Sequence, residues 1–226
     1  MPNRDLRGLA IPFWSPEEVA AAIPRALAQL EARRVLAYPT ETVYGFGGAT
    51  DRDSVEALVS LKRRPPGKPF LLLIAGSAMI DKLGLHLPTY AATLAARHWP
   101  GPLTLVLPGG ERRVPPQLRG PEGGIAVRWT SHPGIQRLIQ AYGEAITSTS
   151  ANRPGVPPAR SATEILSQWG DAVARGMIRV LDAGRLADSP PSTVLDCMGR
   201  RPRVIRPGAI SAAELRESVP DLIGDT

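Results

Sequence analysis

TSTSANRPGVPP, Thr147–Pro158, follows the short, mostly apolar run Glu144–Ile146 and reads as a buried strand opening into a loop. Ser148, Thr149, Ser150 and Asn152 set four hydrogen-bonding side chains at one strand end, and Gly155 with three prolines holds the loop in shape. A second loop of the same kind, PTETVYGFGG (Pro39–Gly48), follows the strand-like VLAY, Val35–Tyr38. Open α/β sheets take ligands at the carboxyl ends of their strands, so two polar strand-end loops in one chain suggest one site. Each loop taken alone also reads as an ordinary turn rich in small polar residues.

Outward from these loops, helices and strands alternate. Ser15 caps a helix, with Pro16 at its first position and Glu18 closing a capping box; the pattern runs to about Arg34, with Pro24 expected to kink or split it. Asp53 opens a second helix with Glu56 three residues on, ending at the Pro65-Pro66-Gly67 breaker. FLLLIA (Phe70–Ala75) is a continuous apolar run, as suits a strand covered on both faces. Short helices over 77–83 and 88–98 lead to a WPGP corner and the strand LTLVLP (Leu103–Pro108). Gly109–Gly124 reads as a long exposed loop, followed by strand Ile125–Trp129, helix Pro133–Tyr142 and strand Glu144–Thr149. The remainder reads as helix Ala162–Trp169, strands near Met177–Leu181, Ser192–Cys197 and Arg203–Arg206, and a short helix capped at Ser211. The expectation is a single α/β domain over 15–217 with a mixed sheet, between an irregular arm (1–14) and a tail (218–226).

With 43% hydrophobic residues, the 226-residue chain can bury a sizeable core, built from aliphatics because aromatics make up only 5%. A net charge of +6, mostly arginine, suits nucleotides, pyrophosphate or RNA; a high-GC genome rich in Arg, Ala, Pro and Gly codons gives the same balance. The lone Cys197 excludes an internal disulfide and, within STVLDC, reads as a small core residue. The N-terminus lacks a signal-peptide layout and no apolar run nears 18 residues, so a cytoplasmic protein with no membrane role is expected.

His86, His98 and His132 lie far apart without ligand spacing, so no protein-held metal is expected. P-loop, Rossmann and nucleophile-elbow motifs are absent. What remains is a set of cations and hydroxyls at element ends. Lys62 and Arg64 close a helix against a Pro-Pro-Gly corner, either as helix-terminus cations or as a fixed anion clamp. Arg128 and Arg206 each follow an apolar strand, where a buried charge calls for a partner. Ser192 and Thr193 stand where a strand begins. Several cations, many hydroxyls and no evident general base fit adenylation, in which an anionic oxygen attacks the α-phosphate of ATP and the protein positions groups and neutralises charge.

Seven short pieces, in order from Val35 to Gly208, carry a resemblance: PTETVYG, KRRPPGKP, WPGPLT, AVRWTSHP, TSANRPGVP, PSTVLD and IRPG. Together they resemble the YrdC-type L-threonylcarbamoyladenylate synthases, which supply the activated intermediate for N6-threonylcarbamoyladenosine in tRNA. The resemblance implies a twisted mixed α/β sheet flanked by helices around a large positively charged cavity. It maps the signature Lys-x-Arg…Ser-x-Asn onto Lys62, Arg64, Ser150 and Asn152. It assigns ATP to Arg64, Lys68, Asn152, Arg160 and Arg206, and L-threonine to Thr40, Tyr44, Arg128, Ser150 and Ser192. Lys62 would steady the phosphates or the carbamate. ATP, L-threonine and bicarbonate are then substrates, Mg2+ comes with the ATP phosphates, and the downstream partners are tRNA-modification transferase proteins, with weak tRNA binding a further expectation. Two departures bear on amino-acid selectivity: Pro154 where relatives often have Ser, and Leu73 where some have His. The chain would be a short form without a further C-terminal domain. The rival readings are a carbamoyladenylate-forming relative and a non-enzymatic RNA-binding module, the latter weakened by scattered aromatics.

Overall fold

The computed structural model describes residues 6–65 and 68–224. In chain order they form β1 (Ala10–Pro12), α1 (Pro16–Glu31), β2 (Val35–Tyr38), β3 (Gly45–Gly47), α2 (Arg52–Lys62) and β4 (Leu71–Ile74). Then come α3 (Ala78–Lys82), α4 (Thr89–His98), β5 (Leu103–Leu107), β6 (Ile125–Trp129), α5 (Pro133–Tyr142) and β7 (Ile146–Ser150). The last third holds α6 (Ala162–Ala174), β8 (Ile178–Asp182), β9 (Thr193–Asp196), β10 (Arg203–Arg206) and α7 (Ala212–Ser218). The strands make one mixed sheet in the order β1-β8-β2-β3-β7-β4-β6-β5-β9-β10. The pairs β1–β8, β8–β2, β4–β6 and β5–β9 are parallel, and the others antiparallel.

Side chains alternate between the faces of a sheet, and here the two faces differ. The first carries Val35, Ala37, Phe46, Leu72, Ile74, Val127, Leu103, Leu105 and Leu195, packed in one core with Leu58 of α2, Leu94 of α4 and Ile165 of α6. The second carries Leu36, Tyr38, Leu73, Ile146 and Leu181 under Val19, Ala26 and Leu30 of α1 and Ile135 and Leu138 of α5. This second apolar cluster stops at β4. Beyond it, the same face carries Arg128 of β6 and Thr104 of β5 beside Ala126, Val106 and Val194, and part of the site lies there.

Several expectations are corrected. Ala10–Pro12, placed in an irregular arm, is an edge strand parallel to β8; residues 1–5 lie outside the described residues. Within the tail, Leu222 is buried and Ile223 bridges to Arg203, while 225–226 lie outside them. Pro24 does not split α1, which is one helix closed by the expected Ser15 capping box. Pro24 is exposed, so the carbonyl left without a donor faces water. Asp51, not Asp53, caps α2: its carboxylate accepts from the N–H groups of Asp53 and Ser54, and Glu56 pairs with Arg52 instead. The Gly109–Gly124 loop is not wholly exposed, since Val114 and Leu118 sit in the core. Cys197 is buried, and burial pushes its thiol up to about 12, as suits an inert core residue. Among the described residues no helix is long and apolar enough to cross a membrane.

Candidate active site

The pairing register unites the two polar loops. Tyr38 of β2 lies opposite Gly45 of β3, and Gly45 lies opposite Ser150 of β7. The loops after Tyr38 and after Ser150 therefore leave the sheet on either side of the start of β3. The short glycine strand is what permits this closeness. A Cβ on Gly47 would stand 1.8 Å from the Thr147 carbonyl oxygen and 2.7 Å from the Tyr38 hydroxyl, so no side chain fits.

α2 delivers Lys62 to the end of β7. Its ammonium donates to the Ser150 carbonyl at 2.8 Å, to Asn152 Oδ1 at 2.8 Å and to the Asn152 carbonyl. An ammonium has three donors, and all three serve the Ser-Ala-Asn loop. Asn152 Oδ1 also accepts from Ser150 Oγ at 2.7 Å, while its Nδ2 donates to the Val156 carbonyl at 2.6 Å. Arg153–Val156 closes as a turn with Pro154 at its second position and Gly155 at φ +78°, the conformation a type II turn requires. Arg153 stacks 4.6 Å from the Trp169 ring and ties the loop to α6. Burial, and then the neighbouring Arg64, lower the Lys62 pKa to about 8.

Arg63, left-handed at φ 47°, turns the chain so that Arg64 follows along the same edge. Its guanidinium donates to the Lys68 carbonyl at 2.6 Å, the Pro69 carbonyl at 2.7 Å and Thr149 Oγ1 at 3.2 Å, and lies 4.6 Å from the Phe70 ring. Pro66 and Gly67 of the expected breaker lie outside the described residues. Lys68 is itself exposed.

The second cluster lies on the polar half of the second face. Arg128 sits in register with Leu73, and the Leu105–Val127 pairing sets Thr104 across from Arg128. Thr104 Oγ1 and Ser192 Oγ are 2.9 Å apart, and Arg206 donates to the Ser192 carbonyl at 2.7 Å and its hydroxyl at 3.1 Å. Gly208 closes this end: a Cβ there would lie 2.3 Å from the Pro191 carbonyl oxygen. Arg128 is only 4% exposed. Glu41 of the first loop folds over the face to meet it, Oε1 standing 3.7 Å from Arg128 Nη1, while Oε2 accepts from the Thr130 hydroxyl. Tyr38 links the clusters: its hydroxyl donates to the Thr147 carbonyl at 2.9 Å, and its phenol, pushed up by burial, feels Ser148 and the Arg128 charge.

Comparison with known proteins places this geometry. Over residues 28–208 the sequence matches the family Sua5_yciO_yrdC, described as telomere recombination. The chain belongs to that family. A curated relative from Alkalilimnicola ehrlichii, named threonylcarbamoyl-AMP synthase, is 40% identical over 193 residues, covering 85% of this chain and 91% of the relative. Among solved structures, Sua5 from Pyrococcus abyssi complexed with L-threonine superposes with a TM-score of 0.86 at 31% identity, over 95% of this chain and 62% of that one. Escherichia coli YciO gives a TM-score of 0.74 at 26% identity, over 88% of this chain and 94% of that one. The mixed α/β fold expected from the resemblance is thus the Sua5/YrdC fold.

Against that background, the remaining residues singled out from the sequence fall in distinct places. Thr40 is buried, its hydroxyl donating to the Val43 carbonyl at 2.7 Å and lying 3.1 Å from the Thr42 hydroxyl, which closes the first loop on itself. Tyr44 is fully buried; its hydroxyl donates to the Gly184 carbonyl at 2.9 Å and accepts from the Ala183 N–H at 3.0 Å, so it supports the loops from beneath. Arg160 pairs with Asp188 and the Ala187 carbonyl, toward the segment after β8. Leu73 is fully buried beside Arg128. Glu41, Thr104 and Thr130 were given no role from sequence. Thr104 had a signal, a hydroxyl within the otherwise apolar LTLVL; Glu41 had only its place in PTETVYG. Among the described residues no group of three or more His, Cys, Asp or Glu side chains assembles to hold a metal.

Proposed function

We propose that this chain is a threonylcarbamoyl-AMP synthase, converting L-threonine, bicarbonate and ATP to L-threonylcarbamoyl-AMP, pyrophosphate and water. The observation that carries the reading is the joining of two clusters by the β7–β4–β6 register: a Lys62-braced Ser-Ala-Asn loop at the end of β7, and a buried Arg128 two strands away on β6.

The threonine amine attacks the carbon of bicarbonate, water leaves, and the resulting carbamate oxygen attacks the α-phosphorus as pyrophosphate departs. The nucleophile is already anionic, so positioning and charge neutralisation dominate. Arg128, with Ser192 and Thr104, takes the threonine carboxylate. Ser150 and Thr40 bound the same pocket. Arg64, Lys68, Asn152, Arg160 and Arg206 line a positively charged cavity for ATP, whose phosphates carry Mg2+. Lys62 acts chiefly by holding the loop, and a phosphate displaces one of its three acceptors. The enzyme works in the cytoplasm and passes its product to tRNA-modification transferases.

Calorimetric titration tests the assignment. Arg128→Ala is expected to weaken L-threonine binding at least about thirtyfold, because it truncates a buried charge partner, with ATP binding kept. Arg64→Ala is expected to do the reverse. A chain that binds RNA with steep salt dependence but neither substrate would favour the binding module.

A further inference from the structure

Glu41 is the acidic partner of Arg128, yet the two do not satisfy one another. At 3.7 Å the contact is an ion pair without a hydrogen bond. Glu41 Oε1 and Arg128 Nε are both buried without a hydrogen-bond partner. Buried polar atoms are nearly always satisfied, and exceptions need a reason. One free acceptor and one free donor, on opposite charges side by side, complement a ligand that brings both charges of its own. The surroundings sharpen the point. Arg206, tethered to Ser192, is close enough for the charge of Arg128 to act on it. Two guanidinium groups without a carboxylate would form an anion trap, in a protein whose other substrate and product are polyphosphates. Thr130, just after β6, donates to Glu41, and Gln136 of α5 donates to the Thr130 carbonyl at 2.8 Å, so the carboxylate is held in place.

Resting on the synthase reading, we propose that Glu41 is a positioning and specificity-setting residue: it neutralises and orients Arg128, so that the amino-acid pocket accepts a zwitterion and rejects anions. A zwitterion leaves the net charge of the Glu41–Arg128 pair unchanged. A free anion brings no donor for the unpartnered Glu41 Oε1 and sets a second negative charge beside it, which is costly.

The test compares L-threonine with (2S,3R)-2,3-dihydroxybutanoate, in which a hydroxyl replaces the amine, by calorimetry on the full chain. Wild type is expected to prefer threonine at least tenfold. Glu41→Gln is expected to narrow that preference tenfold or more and to make pyrophosphate competitive with threonine, leaving the KM for ATP within twofold. Glu41→Asp is expected to restore the preference. Thr130→Val, which removes the support but keeps the charge, is expected to weaken threonine severalfold with the preference retained. Equal weakening of both ligands in Glu41→Gln would make Glu41 merely structural and overturn the proposal, as would a wild type that binds both equally. Should Glu41→Gln not fold, loss of the preference in Thr130→Val would overturn it alone. A wild type that binds ATP but neither ligand would sink the synthase reading itself.

Discussion

The second face of the sheet is two surfaces side by side. From β8 to β4 it carries Leu181, Leu36, Tyr38, Ile146 and Leu73, sealed by α1 and α5. From β6 toward β9 it carries the buried Arg128 and Thr104, with Ser192 just before β9, and Thr104 and Ser192 meet through their hydroxyls rather than methyl groups. Both halves bury side chains, and only one gains stability simply by doing so. Apolar burial is favourable in proportion to area, whereas a buried guanidinium needs partners it does not fully have. The polar half is held in place by the apolar half and by the first face, and a ligand can supply what it lacks.

Breaking the apolar half should therefore cost stability and spare chemistry. Leu138→Ala in α5 is expected to lower unfolding free energy by about 2–5 kcal/mol, read by denaturant melts, with the threonine KM of the folded fraction unchanged. Breaking the braced loop should do the opposite. Lys62→Ala leaves three loop acceptors without their donor, and turnover is expected to fall about a hundredfold, the scale of a small misplacement of reacting groups, while circular dichroism stays native.

A pH profile sharpens the same contrast. Because the Lys62 pKa is lowered to about 8, its charge is lost as pH rises through 8, whereas the unfolded chain keeps that charge to about 10. Between those limits the unfolded state binds more protons, so this residue's contribution to stability rises with pH. Activity should move the other way: kcat/KM for ATP is expected to fall about tenfold per pH unit above 8, and Lys62→Arg should remove that limb. The smallest effect is expected from Thr104→Val, which takes away one hydroxyl partner of Ser192. The threonine KM should rise about two- to tenfold, the worth of one hydrogen bond, with little change in melting.

What could be read from sequence follows the same division. Apolar runs such as Phe70–Ala75 and caps such as Ser15 announce themselves because burial and capping leave local patterns. β3 does not: Gly45 and Gly47 look like a turn, yet they pair on both sides as a strand, and at Gly47 only glycine fits between Tyr38 and Thr147. β1 is three residues long and takes its identity from β8, some 170 positions away by register (Ala10 to Val180). Lys62, Arg64, Ser150 and Asn152 were legible as a motif, but not the fact that Lys62 spends its donors on the loop. Glu41 was invisible as a partner of Arg128, because that contact depends on how a loop crosses a sheet face.

The most direct measurement is pyrophosphate release from ATP by the purified chain, omitting L-threonine and bicarbonate in turn. Release that requires both is the predicted result. Release with bicarbonate and carbamoyl phosphate but without threonine, or no release from folded protein, would contradict it.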